Sequence, residues 1–141
     1  MSYATLSDIQ QAVPADVLVE LTDDAGAGAV DDTVVDAALE RASSEIDAYV
    51  GVRYAVPLET AHPLVKKLCT DLSVYYLYLR VGKVSDALQR TYDNAVRLLR
   101  DISKGIVSLG AEPEPDAPGH MRITVRARSQ VFGSDELDQM P

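Results

Sequence analysis

Apolar residues recur at helical spacing in three long stretches of the chain. Val35, Leu39, Ala42, Ile46 and Tyr49 step by four, three, four and three, which aligns them on one face of a helix. Leu88, Tyr92, Ala95, Leu99, Ile102 and Ile106 repeat the same rhythm more cleanly. Between them, Leu64, Val65, Leu68, Cys69, Leu72 and the run Val74–Leu79 leave little polar face in the second half of their segment. A helix apolar all round is surrounded, either by its own domain or by another subunit. The expected core of a helical domain over residues 5–106 is therefore Leu39, Ile46, Leu68, Leu72, Tyr75, Leu88, Tyr92, Leu99 and Ile102.

Punctuation residues set the limits of these helices. Asp31 or Asp32 caps the first long helix, which reaches about Val50 and stops at Gly51. Pro63 opens the second, which runs to about Val81 before Gly82, and Ser85 caps the third, which ends near Lys104 with Gly105 as its C-terminal glycine. Two short helices precede them. One starts at Thr5 or Ser7 and ends near Val13; the other opens on Pro14 and ends near Leu21. Thr22–Gly28 reads as a loop, and Val52–Pro63 as a connector with two prolines. The predicted fold class is all-α, a small bundle of about five helices, two short and three long, occupying residues 1–110.

The pattern changes after residue 110. Residues 112–119 hold three prolines and three acids and read as an extended, self-repelling linker within 111–119. Residues 120–141 form a C-terminal arm. In it Arg122-Ile-Thr-Val-Arg-Ala-Arg128 alternates with period two, as a single β-strand would, with Ile123, Val125 and Ala127 on one face. No second strand pattern occurs elsewhere, so this segment is expected either to pair with another chain or to stay disordered.

Charge is distributed unevenly. Residues 1–50 carry eleven acids and one base, Arg41; residues 51–110 carry nine bases and five acids; residues 111–141 carry six acids and three arginines. A net charge of −9 opposes a surface that grips nucleic acid phosphates. The acidic first third and basic middle allow copies to attract one another head to tail, although ordinary solvated helix faces account for the same charges. The opening residues lack the basic and apolar regions of a signal peptide, and Val74–Leu79 is far too short to span a membrane, so a cytoplasmic, soluble chain is expected.

Little chemistry is available. His62 in a proline-rich turn reads as a helix-start residue rather than a base, and Cys69 as a small core residue. Asp23-Asp24 and Asp31-Asp32 flank the Gly26-Ala-Gly28 loop, but their spacing does not match a calcium loop, and capping or solvation suits them better. The same carboxylates would repel phosphate from that loop. The expectation is no catalytic residue, no metal and no cofactor. Arg90, Arg97 and Arg100 share roughly one side of the last helix and form either a solvated face balancing Asp93 and Asp101 or a surface for an acidic partner or packaged DNA.

Met1-Ser-Tyr-Ala-Thr-Leu-Ser-Asp-Ile-Gln10, Leu21-Thr-Asp-Asp24, Ile46-Asp-Ala-Tyr-Val-Gly-Val-Arg-Tyr54 with Val56-Pro-Leu58, and Arg128-Ser-Gln-Val-Phe-Gly-Ser-Asp-Glu-Leu137 occur in that order. Together they resemble the head–tail connector (head-completion) proteins of Mu-like phages and prophages. The resemblance implies a non-enzymatic virion-assembly subunit, made in the bacterial cytoplasm and placed in the virion neck. It implies a homo-oligomeric ring on the portal, lining the DNA channel, with twelve-fold symmetry one closure open to it. The implied partners are further copies of the chain, the portal protein, a downstream neck or tail-completion protein, and packaged DNA by non-specific proximity, with no membrane. The expected contact residues are Arg122, Ile123, Val125, Arg126, Arg128, Val131 and Phe132 of the arm, with Arg90, Arg97 and Arg100. Two other functions fit parts of the pattern: a small adaptor or regulatory protein binding one partner through the apolar middle helix, and a metal-dependent enzyme using the acidic loop.

Overall fold

A computed structural model of the chain describes residues 2–59 and 62–110. Five helices follow one another: α1 (Leu6–Ala12), α2 (Ala15–Thr22), α3 (Asp32–Val50), α4 (Pro63–Arg80) and α5 (Asp86–Ser103). Among the described residues there is no strand. The all-α expectation holds. Residues 122–128, where a strand was expected, lie outside the described residues, as do Val131 and Phe132.

Local chemistry explains each helix start. At α1, Thr5 accepts a hydrogen bond from the Asp8 N–H while the Asp8 carboxylate accepts one from the Thr5 N–H, a reciprocal box that satisfies two otherwise orphaned donors. Asp31 caps α3 by accepting from the Thr33 N–H at 3.0 Å. Ser85 caps α5 through the Leu88 N–H at 3.1 Å. Pro14 sits at the N-cap of α2, one place earlier than expected. His62 caps α4, its Nδ1 accepting from the Leu64 N–H at 3.1 Å, directly before Pro63 at the first helical position.

The ends of α4 and α5 share one device. Gly82 and Gly105 have φ of +74° and +80°. Gly82 N–H donates to the Leu79 carbonyl and Lys83 N–H to that of Tyr78; Gly105 N–H donates to Ile102 and Ile106 N–H to Asp101. Both are Schellman turns, which satisfy the last free carbonyls and need the left-handed backbone that glycine adopts cheaply.

α3, α4 and α5 pack on one another, and α1 and α2 each lie against both α3 and α4. Ser73 opposite Ala38 and Cys69 opposite Ser43 make α3 and α4 antiparallel. α4 is the centre: Val65, Leu68, Cys69, Leu72, Tyr75, Tyr76 and Leu77 are all buried by the domain itself. Of the expected core, Leu39, Ile46, Leu68, Leu72, Tyr75, Leu99 and Ile102 are buried, while Leu88 and Tyr92, nearer the start of α5, are half-buried. Ile106 corrects the sequence reading. It is 70% exposed, because α5 ends at Ser103 and the turn at Gly105 carries the next residue off the helical stripe.

The connectors also enter the core. Tyr3, Tyr54, Leu58 and Leu109 are buried. The Tyr3 hydroxyl accepts from the Leu58 N–H at 2.9 Å, and the Tyr54 hydroxyl accepts from the Leu109 N–H at 3.2 Å. Two tyrosines thus bind connector backbone that would otherwise leave water without a partner.

Candidate interaction surface

Where α3, α4 and α5 meet, one carboxylate is shared by two tyrosines. Tyr76 and Tyr92 both donate their hydroxyls to Glu45, Tyr92 at 3.1 Å. The Tyr75 and Tyr92 rings stack with centroids 4.2 Å apart, Tyr75 meets Tyr76 edge to face, and the Arg41 guanidinium lies 4.1 Å over the Tyr76 ring. Burial first, then the bond to the Glu45 carboxylate and its charge, push the Tyr76 hydroxyl pKa well up. Burial raises that of Tyr92 as well. These hydroxyls are held neutral as donors, so the cluster ties three helices together rather than supplying a reactive oxygen.

The acidic loop is tied down in a similar way. The Asp23 carboxylate accepts the Ala27 and Gly28 N–H groups at 2.9 and 2.6 Å, and these bonds lower its pKa. Arg80 grips Asp24 at 2.6 Å and also donates to the Leu21 carbonyl, while Lys83 pairs with Glu20. The Arg80 bond keeps the Asp24 carboxyl below its usual range. Thr22 Oγ1 donates to the Leu18 carbonyl and accepts from the Asp31 N–H, fastening the two ends of the loop. Among the described residues no three potential metal ligands cluster. Cys69 is buried, with its sulfur 3.4 Å from Ser43 Oγ.

The exposed surface carries two charge patterns and a groove. Asp32, Asp36 and Glu40, at steps of four on α3, are exposed and form no ion pair among the described residues. Beside this stripe, Val34, Ala37 and Ala38 of α3 and Tyr76 of α4 line a groove with Arg41 and Arg80 at its rim. On α5, Arg90, Arg97 and Arg100 are exposed on one side, as the spacing indicates. Asp86, Asp93 and Asp101 fall on that same side, and Arg97 donates to its neighbour Asn94. That face carries mixed charge. The remaining expected contacts, Arg122, Ile123, Val125, Arg126, Arg128, Val131 and Phe132, lie outside the described residues.

The groove was not visible in the sequence. The helical period places Val34, Ala37 and Arg41 beside the core stripe of α3, but only the α3–α4 pairing brings Tyr76 and Arg80 against them. Among the described residues no helix is long and apolar enough to cross a membrane.

Comparison with known proteins gives a consistent result. The family model described as Bacteriophage Mu, Gp36 matches residues 3–126. Gene product J of Escherichia phage Mu is 31% identical over 135 residues, 94% of this chain and 94% of that protein. The Mu-like prophage FluMu protein gp36 of Haemophilus influenzae is 31% identical over 90 residues, 64% of this chain and 62% of that relative, so this match spans less than two thirds of its length.

Proposed function

The chain belongs to the bacteriophage Mu Gp36 family, and we propose that within the phage it is a structural head–tail connector subunit, assembling as a ring on the portal in the virion neck. The reading adds three things to family membership: a non-enzymatic role, a homo-oligomer, and partners in the portal, a downstream neck or tail-completion protein and the DNA passing through. Sequence resemblance to head-completion proteins supports the place in the particle. The observation that carries self-association is the exposed acidic stripe Asp32, Asp36 and Glu40, which forms no ion pair among the described residues, whereas Glu20 and Asp24 are held by Lys83 and Arg80. Its complement within the same chain is Arg122, Arg126 and Arg128. A contact between two different patches is heterologous, and repeated with a closing rotation it generates a ring.

Sedimentation of the full chain at rising concentration tests this. Oligomers should form, should weaken with salt because exposed charges are screened, and should lose about tenfold or more in affinity when Asp36→Lys and Glu40→Lys place like charges at the contact. Mixing with purified portal should give a complex. A monomer at every concentration that also ignores the portal would sink the proposal. The adaptor reading predicts instead a monomer that binds one partner through α4, on which Leu79 is exposed.

A further inference from the structure

The groove between α3 and α4 has a volume of about 330 Å³. Val34, Ala37 and Ala38 form one wall and Tyr76 the other. Small side chains on the α3 wall leave room for one large apolar side chain from outside. The rim is cationic. Arg41 lies over the Tyr76 ring and makes no hydrogen bond among the described residues. Arg80 commits three N–H bonds to Leu21 and Asp24, and a guanidinium has two further donors. Such a groove selects an extended segment with an apolar anchor and carboxylates a few residues away.

The sequence of the chain offers that combination of residues once past the described domain. Val131-Phe-Gly-Ser-Asp-Glu-Leu-Asp138 holds its single Phe and three acids, with no base. Reach permits the contact. The described chain leaves near the C-terminal end of α3, where Leu109 N–H bonds Tyr54. Ala37 lies roughly 20 Å back along α3 at about 1.5 Å per residue. Residues 111–131 span up to about 65 Å if extended at about 3.1 Å each. The same reach extends to a neighbouring copy, and a ring requires a contact that runs between copies.

The geometry points to residues 131–138 of a second copy as the occupant of this groove, with Phe132 against Ala37 and Tyr76 and the acids Asp135, Glu136 and Asp138 at Arg41 and Arg80. This rests on the ring reading and names the surface on which one copy holds the next. It also sets a direction of assembly, because each copy offers one groove and one arm.

The test uses the full chain with Phe132 replaced by the photo-crosslinker p-benzoylphenylalanine, mixed from isotopically light and heavy preparations. Irradiation should yield light–heavy adducts on peptides containing Ala37 or Tyr76. Ala37→Glu, at an exposed position, should cut those adducts about tenfold or more by placing a like charge against the arm, with the helical signal and melting temperature unchanged. Arg41→Glu should act in the same direction. Adducts elsewhere, adducts confined to one chain, or adducts indifferent to Ala37→Glu would overturn the inference. Sedimentation of the same samples separates the two ideas. Oligomers without groove adducts refute the docking alone, and absence of oligomers refutes the ring as well.

Discussion

Tyrosine hydroxyls supply several of the long-range polar ties of this domain. Tyr3 bridges the N-terminus to Asp47 at 2.5 Å and to the Leu58 backbone, Tyr54 holds Leu109, and Tyr76 and Tyr92 share Glu45. Burial, then the bond to Asp47, pushes the Tyr3 pKa up to about 12, and Tyr76 and Tyr92 are shifted the same way. A raised folded pKa means the folded state keeps its proton more tightly than the unfolded chain. The associated stability is fully present below pH 10, the ordinary tyrosine value, and is lost as pH rises toward about 12. Urea midpoints should therefore be flat between pH 7 and 9 and fall steeply above about 10. Tyr76→Phe should cost about 1.5–3 kcal/mol at neutral pH, the range for a hydrogen bond to a charged group, and should lessen the alkaline loss. An alkaline profile unchanged by Tyr76→Phe would show that the cluster is not the source. The sequence showed the tyrosines but not these bonds. Glu45 borders the core stripe of α3, and a helical period gives the direction of a side chain without showing which distant hydroxyls converge on it.

At the scale of helices, caps and stripes made the fold legible. Thr5, Asp31, Ser85 and Pro63 mark helix starts for reasons intrinsic to free N–H groups, and the apolar periods of α3, α4 and α5 identify buried faces before any partner is known. The pattern misled at Ile106, beyond the helix end, and at Leu79, in the last turn of α4, which is 42% exposed. Leu72→Ala and Leu99→Ala, both at fully buried positions, should each cost about 2–5 kcal/mol. Ile106→Ala should cost almost nothing, and a loss comparable to Leu99→Ala would place Ile106 in the core. The two Schellman glycines offer a finer comparison. Both have positive φ, so alanine at either is strained by roughly 1–2 kcal/mol. A Cβ at Gly82 would meet nothing within 4 Å, whereas one at Gly105 would stand 2.8 Å from Arg53 Nη1. Arg53 Nε is already buried without a hydrogen-bond partner among the described residues, beside the helix end whose dipole favours its charge. Gly105→Ala should therefore destabilise more than Gly82→Ala in chemical denaturation. Equal losses would mean that the Arg53 side chain moves aside freely.

For the molecule as a whole, stability and association should reside in different parts of the chain. Among the described residues, the large fully buried side chains run from Ile9 to Ile102, and the Leu109–Tyr54 bond closes the C-terminal side of the core. The prolines and the period-two stretch mark residues 111–141 in the sequence, and they lie outside the described residues. The α3–α4 groove was not legible, since a groove formed by two separate helices has no signature in either helix alone. The bundle by itself buries Val65, Leu68, Cys69, Leu72 and Leu77 of its middle helix, so residues 111–141 are not required to complete the described core. Truncation after Gly110 should leave the helical signal and the melting temperature of the domain unchanged. The same truncation removes Arg122, Arg126 and Arg128 as well as Phe132, and with them both the charge complement of the α3 stripe and the proposed apolar anchor. Sedimentation should then show monomers at concentrations where the full chain associates, and portal binding should weaken in parallel. A fall in melting temperature on truncation would assign the arm to the core of its own domain. Unchanged association would place the subunit contact on the helical faces instead, and the mixed-charge side of α5 would be the next surface to mutate.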